Sequence, residues 1–373
     1  MRTSAGFRRG FRMSASSVVS PAPRFASVDA LRGLTVAAML LVNDAGDWSH
    51  VYPWLEHAAW NGCNPADYIF PFFLFVAGVS LTLALEPALA RGRESAALLR
   101  GLLGRAARLF AVGLILHAAA ALLIADRSFR LPGVLQRIAL CVALAGAAAL
   151  YLKPRMQWAL LGLLLLGYGA LLAWGGTTPL ANPERYFDSN LLGRLAYQYD
   201  AASGHAFDPE GLVSTLGALA TTLLGVRAGH WLRRGKLGAL LRAGFLAAAG
   251  GALLHWLQPI NKALWTPAYV LWTGGIACLA LLVAHRLADR RGLWLPGGAL
   301  GRNAMLAYAG SWLMVCALAA TGVDRWLYAQ AFASWLTPLA GAEFASLAWA
   351  AAIVAVWWCV AIVLDRRGWY WKV

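Results

Sequence analysis

The sequence has little charge, and little of it is acidic. Of its 373 residues 13% are charged, only 17 are Asp or Glu, and 60% are hydrophobic. Soluble domains carry about a quarter charged residues. This composition therefore argues against a soluble enzyme and for a chain whose solvent is mostly lipid.

Cysteine is also scarce, with five residues in the chain. Cys141, Cys278, Cys316 and Cys359 lie in apolar stretches, which leaves Cys63 alone in a polar segment. A disulfide framework is not expected. The sequence also lacks a His-Glu-x-x-His motif, paired cysteines and a Gly-rich phosphate loop, so we predict no metal and no nucleotide-binding fold.

Apolar stretches long enough to cross a bilayer recur along the chain. We predict an all-α, polytopic transmembrane helix bundle with about ten spans, possibly eleven. The ten are residues 31–45, 68–85, 109–124, 134–152, 158–174, 212–228, 239–257, 268–284, 304–321 and 344–364. A shorter stretch, 326–339, is expected to be re-entrant or interfacial.

The formal charge of +15 is a topology signal rather than a sign of nucleic-acid binding, because most Lys and Arg residues lie in short segments between apolar runs. The positive-inside rule then places both termini in the cytoplasm. Counting 326–339 as a span would move Arg366, Arg367 and Lys372 outside, against that rule. We expect a lipid bilayer as partner and no nucleic acid.

The first 25 residues contain several Arg and Ser and no acid. We predict that residues 1–25 form a disordered, basic cytoplasmic tail and that residues 26–373 form a single transmembrane domain. The abundance of Ala, Leu, Gly and Arg is typical of GC-rich bacterial genomes. The expected location is therefore the bacterial inner membrane.

Polar residues that a bilayer would penalise are the informative ones. Asn43, His57 and Asp67 lie close to the predicted outer end of the first two spans. A histidine beside acids has the parts of a general base or an acyl-accepting nucleophile, with Asp67 or Glu56 orienting the ring. An ordinary interfacial histidine is the alternative.

Further polar residues approach the membrane elsewhere. Arg137 enters the fourth span from the outer side, where a binding role and a structural ion pair with Asp208 or Glu210 are both open. Lys262 raises the same question. Asp29 and Arg32 lie three apart and so share one helix face at the inner end of the first span, where they can pair.

Several motifs together resemble the heparan-α-glucosaminide N-acetyltransferase family. The most specific is His57-Ala58-Ala59-Trp60-Asn61-Gly62, which follows Val42-Asn43 and precedes Asp67-Tyr68-Ile69-Phe70-Pro71. Further matching segments are residues 24–33, 131–138, 208–216, 224–229, 261–265 and 301–305. The opening Asp-x-Leu-Arg-Gly is shared with other membrane acyltransferases that modify envelope sugars.

The resemblance implies an enzyme that takes acetyl from cytosolic acetyl-CoA, its co-substrate, and transfers it to a sugar amine across the membrane. It implies that His57 is the catalytic histidine and that Asn43 lies beside it, able to stabilise an oxyanion. We assign Asp67 to the same catalytic set. The expected saccharide-binding residues are Trp60, Asn61, Arg137, Asp208, Glu210 and Lys262.

The phosphates of CoA should prefer the basic cytoplasmic rim, where Arg32, Arg302 and Asn303 are the candidates. A homodimer is possible on the small-residue content but is not required. The alternative function is a transporter or flippase for an envelope saccharide. The chain shows no inverted repeat of the kind found in many transporters.

Overall fold

The computed structural model describes residues 25–125 and 127–371. The predicted basic tail, apart from Phe25, lies outside the described residues. The division into a tail and a single domain therefore stays a prediction.

The described residues are mostly α-helical, as predicted. The helices are α1 (Ala26–Asn43), α2 (Ile69–Ala90), α3 (Ser95–Leu123), α4 (Val134–Tyr151), α5 (Pro154–Gly175), α6 (Pro183–Leu191), α7 (Thr215–Arg233), α8 (Leu237–Leu254), α9 (Pro267–Ala284), α10 (Gly298–Arg302), α11 (Ala304–Thr321), α12 (Val323–Tyr328), α13 (Ser334–Ala340) and α14 (Ala342–Arg366). Short 3₁₀ turns occupy Pro53–Leu55, Pro65–Tyr68 and Gly193–Leu195, and π-helical turns occupy His285–Arg290 and Ala329–Ala333. Strands β1 (Gln198–Tyr199) and β2 (Ala206–Phe207) form one antiparallel hairpin.

Nine helices within these described ranges are long and apolar enough to cross a membrane. They match nine of the ten predicted spans, which confirms a polytopic helix bundle. The tenth, predicted at 212–228, is α7, a helix that falls outside this apolar set. Fourteen of its residues are buried, among them Thr221, Thr222 and Arg227. Because α7 is largely enclosed by protein, it can carry polar residues that a lipid-facing helix could not.

The centre of the bundle is held by close helix contacts. Helix α7 packs against α2, α4, α5 and α9, while α8 packs on α9 and α3 on α4. Gly225 of α7 lies so near α2 that a Cβ there would be 2.1 Å from the carbonyl oxygen of Phe75. The missing side chain thus sets the distance between two backbones, as small residues do in membrane helix pairs.

Residues 323–340 fold as α12, a π-helical turn and α13, and none of these is among the nine apolar helices. The segment packs along α14. Its position relative to the bilayer stays a prediction, as does the orientation of the termini.

Two long connections lie outside the helices. One runs from the end of α1 to α2 and includes His57. The other joins α5 to α7 and contains α6 and the β-hairpin. Trp60 fastens them together, because its indole N–H donates to the carbonyl oxygen of Thr177 at 2.8 Å and its ring lies 5.7 Å from that of Phe207.

Candidate active site

The position of His57 depends on a tightly bonded turn just before α2. Asn64 begins the 3₁₀ turn Pro65–Tyr68, and the Asp67 side chain turns back toward the residues before it. Asp67 Oδ2 accepts the backbone N–H groups of Ala58 at 3.0 Å and of Asn64 at 2.9 Å. The carboxylate, which is fully buried, is therefore fixed by the loop that carries the histidine.

The other carboxylate oxygen faces the imidazole. Asp67 Oδ1 is 2.8 Å from His57 Nδ1, and the histidine side chain is 47% exposed. Because a carboxylate oxygen only accepts hydrogen bonds, its approach to Nδ1 favours the tautomer in which Nδ1 is protonated and Nε2 carries the lone pair. The arrangement leaves a reachable imidazole with one nitrogen available as a base or nucleophile. Glu56, the other candidate for orienting the ring, is exposed, and Asp67 makes that contact.

Lys262 completes this set from the connection between α8 and α9. Its Nζ is 3.0 Å from each ring nitrogen of His57 and 3.5 Å from Asp67 Oδ1. With Nδ1 protonated, the ammonium can donate only to Nε2. Burial lowers the pKa of Lys262, and the charges of Asp67 and Glu210 oppose that effect.

Residues next to Lys262 anchor the connection between α8 and α9 to the connection between α1 and α2. Asn261 Nδ2 donates to Asn61 Oδ1 at 3.1 Å, and the N–H of Gly62 donates to the carbonyl oxygen of Ile260 at 2.8 Å. Asn61, predicted to bind the acceptor, thus takes part in a contact that holds the loops in register. The contact also keeps Lys262 against His57.

Two acids of the second connection pair with an arginine from the connection between α3 and α4. Asp208 and Glu210 are paired by Arg130, whose Nη2 is 3.0 Å from Glu210 Oε2 and whose Nη1 is 3.6 Å from Asp208 Oδ1. Burial acts to raise the pKa of Glu210, but the charges of Arg130, Arg137 and Lys262 outweigh it and lower that pKa.

Of the two roles left open for Arg137, the ion pair with Asp208 or Glu210 is not formed within the described residues. Arg137 lies within α4 and is 1% exposed, and its Nη2 donates to the carbonyl oxygen of Gly211 at 3.0 Å and to Ser214 Oγ at 2.5 Å. Arg130, in the connection before α4, lies at the level of the two acids and takes the pairing instead.

Glu184 is linked to this buried arginine through Ser214, which contacts both residues. It accepts the N–H of Ser214 at 2.5 Å and the Ser214 hydroxyl at 2.9 Å. Burial, and then the charge of Asp188, raise the pKa of Glu184. Arg137 Nε and Nη1 are buried without a hydrogen-bond partner within the described ranges.

Asn43 is the last residue of α1 and is exposed. Helix α1 contacts the 3₁₀ turn that holds Asp67, so Asn43 lies at the same end of the bundle as His57. Among the described residues no hydrogen bond engages its amide. The neighbouring Asp44 is buried, its Oδ2 has no hydrogen-bond partner there, and burial raises the pKa of Asp44 to about 7.

Known proteins match this chain over the region that contains His57 and Asp67. The heparan-alpha-glucosaminide N-acetyltransferase catalytic family model matches residues 24–258. The chain belongs to this family. This match confirms the resemblance to the family that was inferred from the His57 motif and the segments around it.

Curated relatives include the heparan-alpha-glucosaminide N-acetyltransferases of Homo sapiens and Mus musculus. The human protein is 29% identical over 351 residues, covering 77% of this chain and 52% of its own length. The mouse protein is 28% identical over 357 residues, covering 78% and 54%. The chain spans about half the length of the curated relatives it matches.

The matched region contains the histidine site and the acid cluster of this N-acetyltransferase family member. Asn43, His57, Asp67, Arg137, Asp208 and Glu210 fall within it, as do Trp60 and Asn61. Lys262, Arg302 and Asn303 lie beyond it. The contacts of Lys262 with His57 and Asp67 place that residue at the site on structural grounds alone.

The three candidates for CoA lie at the other end of α1. The Asp29–Arg32 pair is confirmed, at 3.1 Å, and Arg32 Nη2 also donates to Ser80 Oγ at 2.7 Å. Arg302 forms a two-pronged ion pair with Asp365. Asn303 is buried at the junction of α10 and α11.

Arg130, Glu184 and Asp188 were missed in the sequence. Arg130 was visible as a charge just before a predicted span. Glu184 and Asp188 lie in the polar helix α6, and they become buried only when the second connection folds.

Proposed function

We propose that this chain is a transmembrane acyltransferase that moves an acetyl group from cytosolic acetyl-CoA to an amino sugar, or a related saccharide, at the outer face of the membrane. The observation that carries the proposal is the imidazole of His57, which is 47% exposed, lies with Nδ1 2.8 Å from a fully buried carboxylate, and has Lys262 Nζ 3.0 Å from Nε2. Family membership supports acetyl transfer. The names of the relatives specify heparan α-glucosaminide for those proteins.

In the direct route, the nitrogen of the acceptor amine attacks the thioester carbonyl while His57 Nε2 accepts a proton from that amine. The C–N bond forms, the C–S bond breaks, and the imidazolium returns its proton to the departing CoA thiolate. In the second route, Nε2 bonds to the carbonyl carbon as the C–S bond breaks and CoA leaves as its thiolate. The amine then attacks this acetyl group, the bond from the acetyl carbon to Nε2 breaks, and the freed Nε2 takes the proton that the amine loses. Both routes require the same tautomer, which Asp67 maintains.

Negative charge develops on the carbonyl oxygen in either route. The ammonium of Lys262 and the amide of Asn43 are the donors at this end of the bundle that can meet it. The amine of the acceptor displaces Lys262 from Nε2, which frees the ammonium for the oxyanion. Glu210 offers a carboxylate suited to the hydroxyls or the amine of a saccharide, and the fully buried Asp208 helps to hold Arg130 beside it.

The membrane arrangement is part of the proposal. We propose that both termini lie in the cytoplasm and that the membrane is a bacterial inner membrane; the predicted basic inner connections and acidic outer connections support this orientation. A reporter that fluoresces only in the cytoplasm, fused after residue 373, should be bright. If this fusion is dark and an alkaline-phosphatase fusion at the same position is active, the C-terminus lies outside and the proposed orientation is refuted.

The enzymatic test uses purified protein in nanodiscs with labelled acetyl-CoA and glucosamine. Wild type should release CoA and form acetylated sugar, and His57→Ala should lose this activity by a factor on the order of 10³. His50→Ala is the matched control, because His50 also lies 2.8 Å from an aspartate of the same connection, Asp47, whose side chain is 35% exposed whereas that of Asp67 is fully buried.

The outcomes separate the candidate functions. Equal activity of His57→Ala and wild type would remove His57 from the chemistry while keeping acyl transfer. No transfer to any of a panel of amino sugars, together with saccharide uptake into liposomes, would favour the transporter. Label that remains on wild-type protein before acceptor is added would identify the acetyl-histidine route.

A further inference from the structure

Arg227 is a nearly buried arginine close to the end of α7. The helix begins after Ser214, which contacts Arg137, and Arg227 follows roughly 18 Å of helix rise further on. Arg227 is 7% exposed. A cation so far removed from bulk water needs charges or hydrogen bonds around it to offset the lost hydration.

The protein meets this need only in part. Arg227 Nη1 donates to Gln157 Oε1 at 3.2 Å, whereas Nε is buried without a partner and Nη2, which stays accessible, makes no hydrogen bond within the described ranges. No ion pair engages Arg227 in the part of the chain that the structure describes. The acid at this end of α2, Glu86, is paired with His230 and Arg233, each at 2.6 Å. Arg227 thus keeps one donor that a ligand can reach.

The first turn of α5 forms the wall beside this arginine. Gln157 Nε2 donates to the carbonyl oxygen of Leu152 at 3.0 Å, which directs Oε1 toward Arg227. The guanidinium carbon lies 5.5 Å from the ring centre of Trp158. The helix begins at Pro154 without a side-chain cap, so backbone N–H groups of its first turn stay unpaired within the helix. Such a helix start favours an anion.

Further cations surround the same place. Lys153 and Arg155 flank the start of α5 and Arg234 follows α7, and all three are exposed. Because Glu86 is already paired with two cations, these charges leave an excess of positive charge around Arg227. The electrostatics therefore suit an anionic ligand.

The surface next to this charge is apolar and faces away from the bundle. The rings of Trp158 and Trp231 lie 5.8 Å apart, and tryptophan is enriched where a membrane meets water. Only 17% of the apolar stretch of α5 is buried by protein. One turn beyond Trp158 a Cβ built at Gly162 meets no atom within 4 Å, and Leu166, one turn further, is 78% exposed. A ligand with its charge at Arg227 can therefore lay hydrocarbon along α5.

We propose that one anionic phospholipid binds here, with its phosphate accepting from Arg227 Nη2 between the start of α5 and the end of α7. Trp158 packs against the glycerol region, and the acyl chains follow α5 past Gly162. Basic pockets between transmembrane helices are known sites for anionic lipid head groups. A soluble phosphate could use the cation but not the apolar surface. The bound lipid ties α5 to α7, and it is independent of acetyl transfer.

The test uses protein freed of lipid in an uncharged detergent and native mass spectrometry with phosphatidylglycerol and phosphatidylcholine of equal chain length. Wild type should retain phosphatidylglycerol in preference. Arg227→Gln should weaken that binding about tenfold, because a charge-assisted hydrogen bond is lost. Trp158→Ala, which keeps the arginine, should weaken it about threefold. Arg100→Gln is the matched control, since it removes an exposed cation near the start of α3, and it should bind as wild type.

Thermal unfolding gives a second readout. Phosphatidylglycerol should raise the unfolding midpoint of wild type and Arg100→Gln and leave that of Arg227→Gln unchanged, because only a ligand of the folded state stabilises it. If Arg227→Gln does not fold, Trp158→Ala decides, since its midpoint should rise less than that of wild type.

Equal retention of the two lipids by wild type would overturn the proposal, as would loss of binding in Arg100→Gln to the same extent as in Arg227→Gln. Unchanged binding in both Arg227→Gln and Trp158→Ala would do the same. Inorganic phosphate should not raise the midpoint. If it stabilises wild type as much as phosphatidylglycerol does, the site takes a soluble phosphate and the lipid is refuted.

Discussion

Replacing Asp67 with asparagine tests the His57 site most directly, because the structure dictates which way the new amide must face. In the native chain Oδ2 accepts two backbone N–H groups, from Ala58 and Asn64, and Oδ1 faces His57 Nδ1. An amide nitrogen cannot occupy the Oδ2 position, since three donors would then meet. The asparagine oxygen therefore stays there and its NH₂ group turns toward the imidazole.

This orientation reverses the tautomer of His57. The NH₂ group donates to Nδ1, so the ring proton moves to Nε2 and the lone pair is no longer available at the reactive nitrogen. The corresponding Asp→Asn change in serine proteases lowers kcat about 10⁴-fold through the same tautomer switch. For Asp67→Asn we expect a loss in kcat of about 10³–10⁴-fold, about 4–5 kcal/mol in the barrier, with little change in folding.

The assay follows acetylated glucosamine by chromatography, so that cysteines of the protein do not interfere with detection of CoA. Asp47→Asn is the matched control, because it makes the same change in the exposed Asp47–His50 pair and should keep wild-type kcat. Thermal unfolding establishes that both variants are folded. An Asp67→Asn protein that is folded and keeps kcat within about threefold of wild type would refute the tautomer argument.

Three further changes have defined outcomes. Lys262→Met should lower kcat by about 10²–10³-fold, because it removes a candidate oxyanion donor, and a fall in acceptor affinity alone would assign Lys262 to binding. Burial raises the pKa of Asp44 from 3.8 to about 7, so the folded state should lose stability as pH rises between those values. The gain in unfolding free energy from Asp44→Asn should therefore be larger at pH 8 than at pH 5, by about 3 kcal/mol, and equal gains at the two pH values would contradict burial as the cause. Gly225→Ala should destabilise the bundle by about 1–3 kcal/mol, whereas Gly101→Ala, which meets no atom within 4 Å, should be neutral or slightly stabilising in thermal unfolding.

Much of the fold follows from the sequence because lipid imposes a simple rule. A helix that faces hydrocarbon must be apolar for about 20 residues, and nine predicted spans meet that rule as helices within the described ranges. Helix α7 shows where the rule weakens. Because α7 is surrounded by α2, α4, α5 and α9, most of its residues face protein instead of lipid. Its hydropathy therefore depends on its packing partners and cannot show whether it spans the membrane.

The histidine site was predictable to a similar extent. His57 and Asp67 are ten residues apart in one polar segment, and the turn before α2 is enough to bring them together. Lys262 is more than 200 residues from His57. Its approach depends on the loop contacts between Asn61 and Asn261, which local sequence patterns do not encode.

The sequence left the role of Arg137 open between binding and an ion pair, for a reason that applies to many buried arginines. A charge count pairs each cation with the nearest acid in the topology, which suggested Asp208 or Glu210. The fold instead lets backbone and hydroxyl oxygens satisfy part of the guanidinium, while Glu184 supports it through Ser214. Because a buried charge needs both compensation and hydrogen bonds, its partners are set by which backbone oxygens the fold brings near it, and the sequence of one connection cannot reveal them.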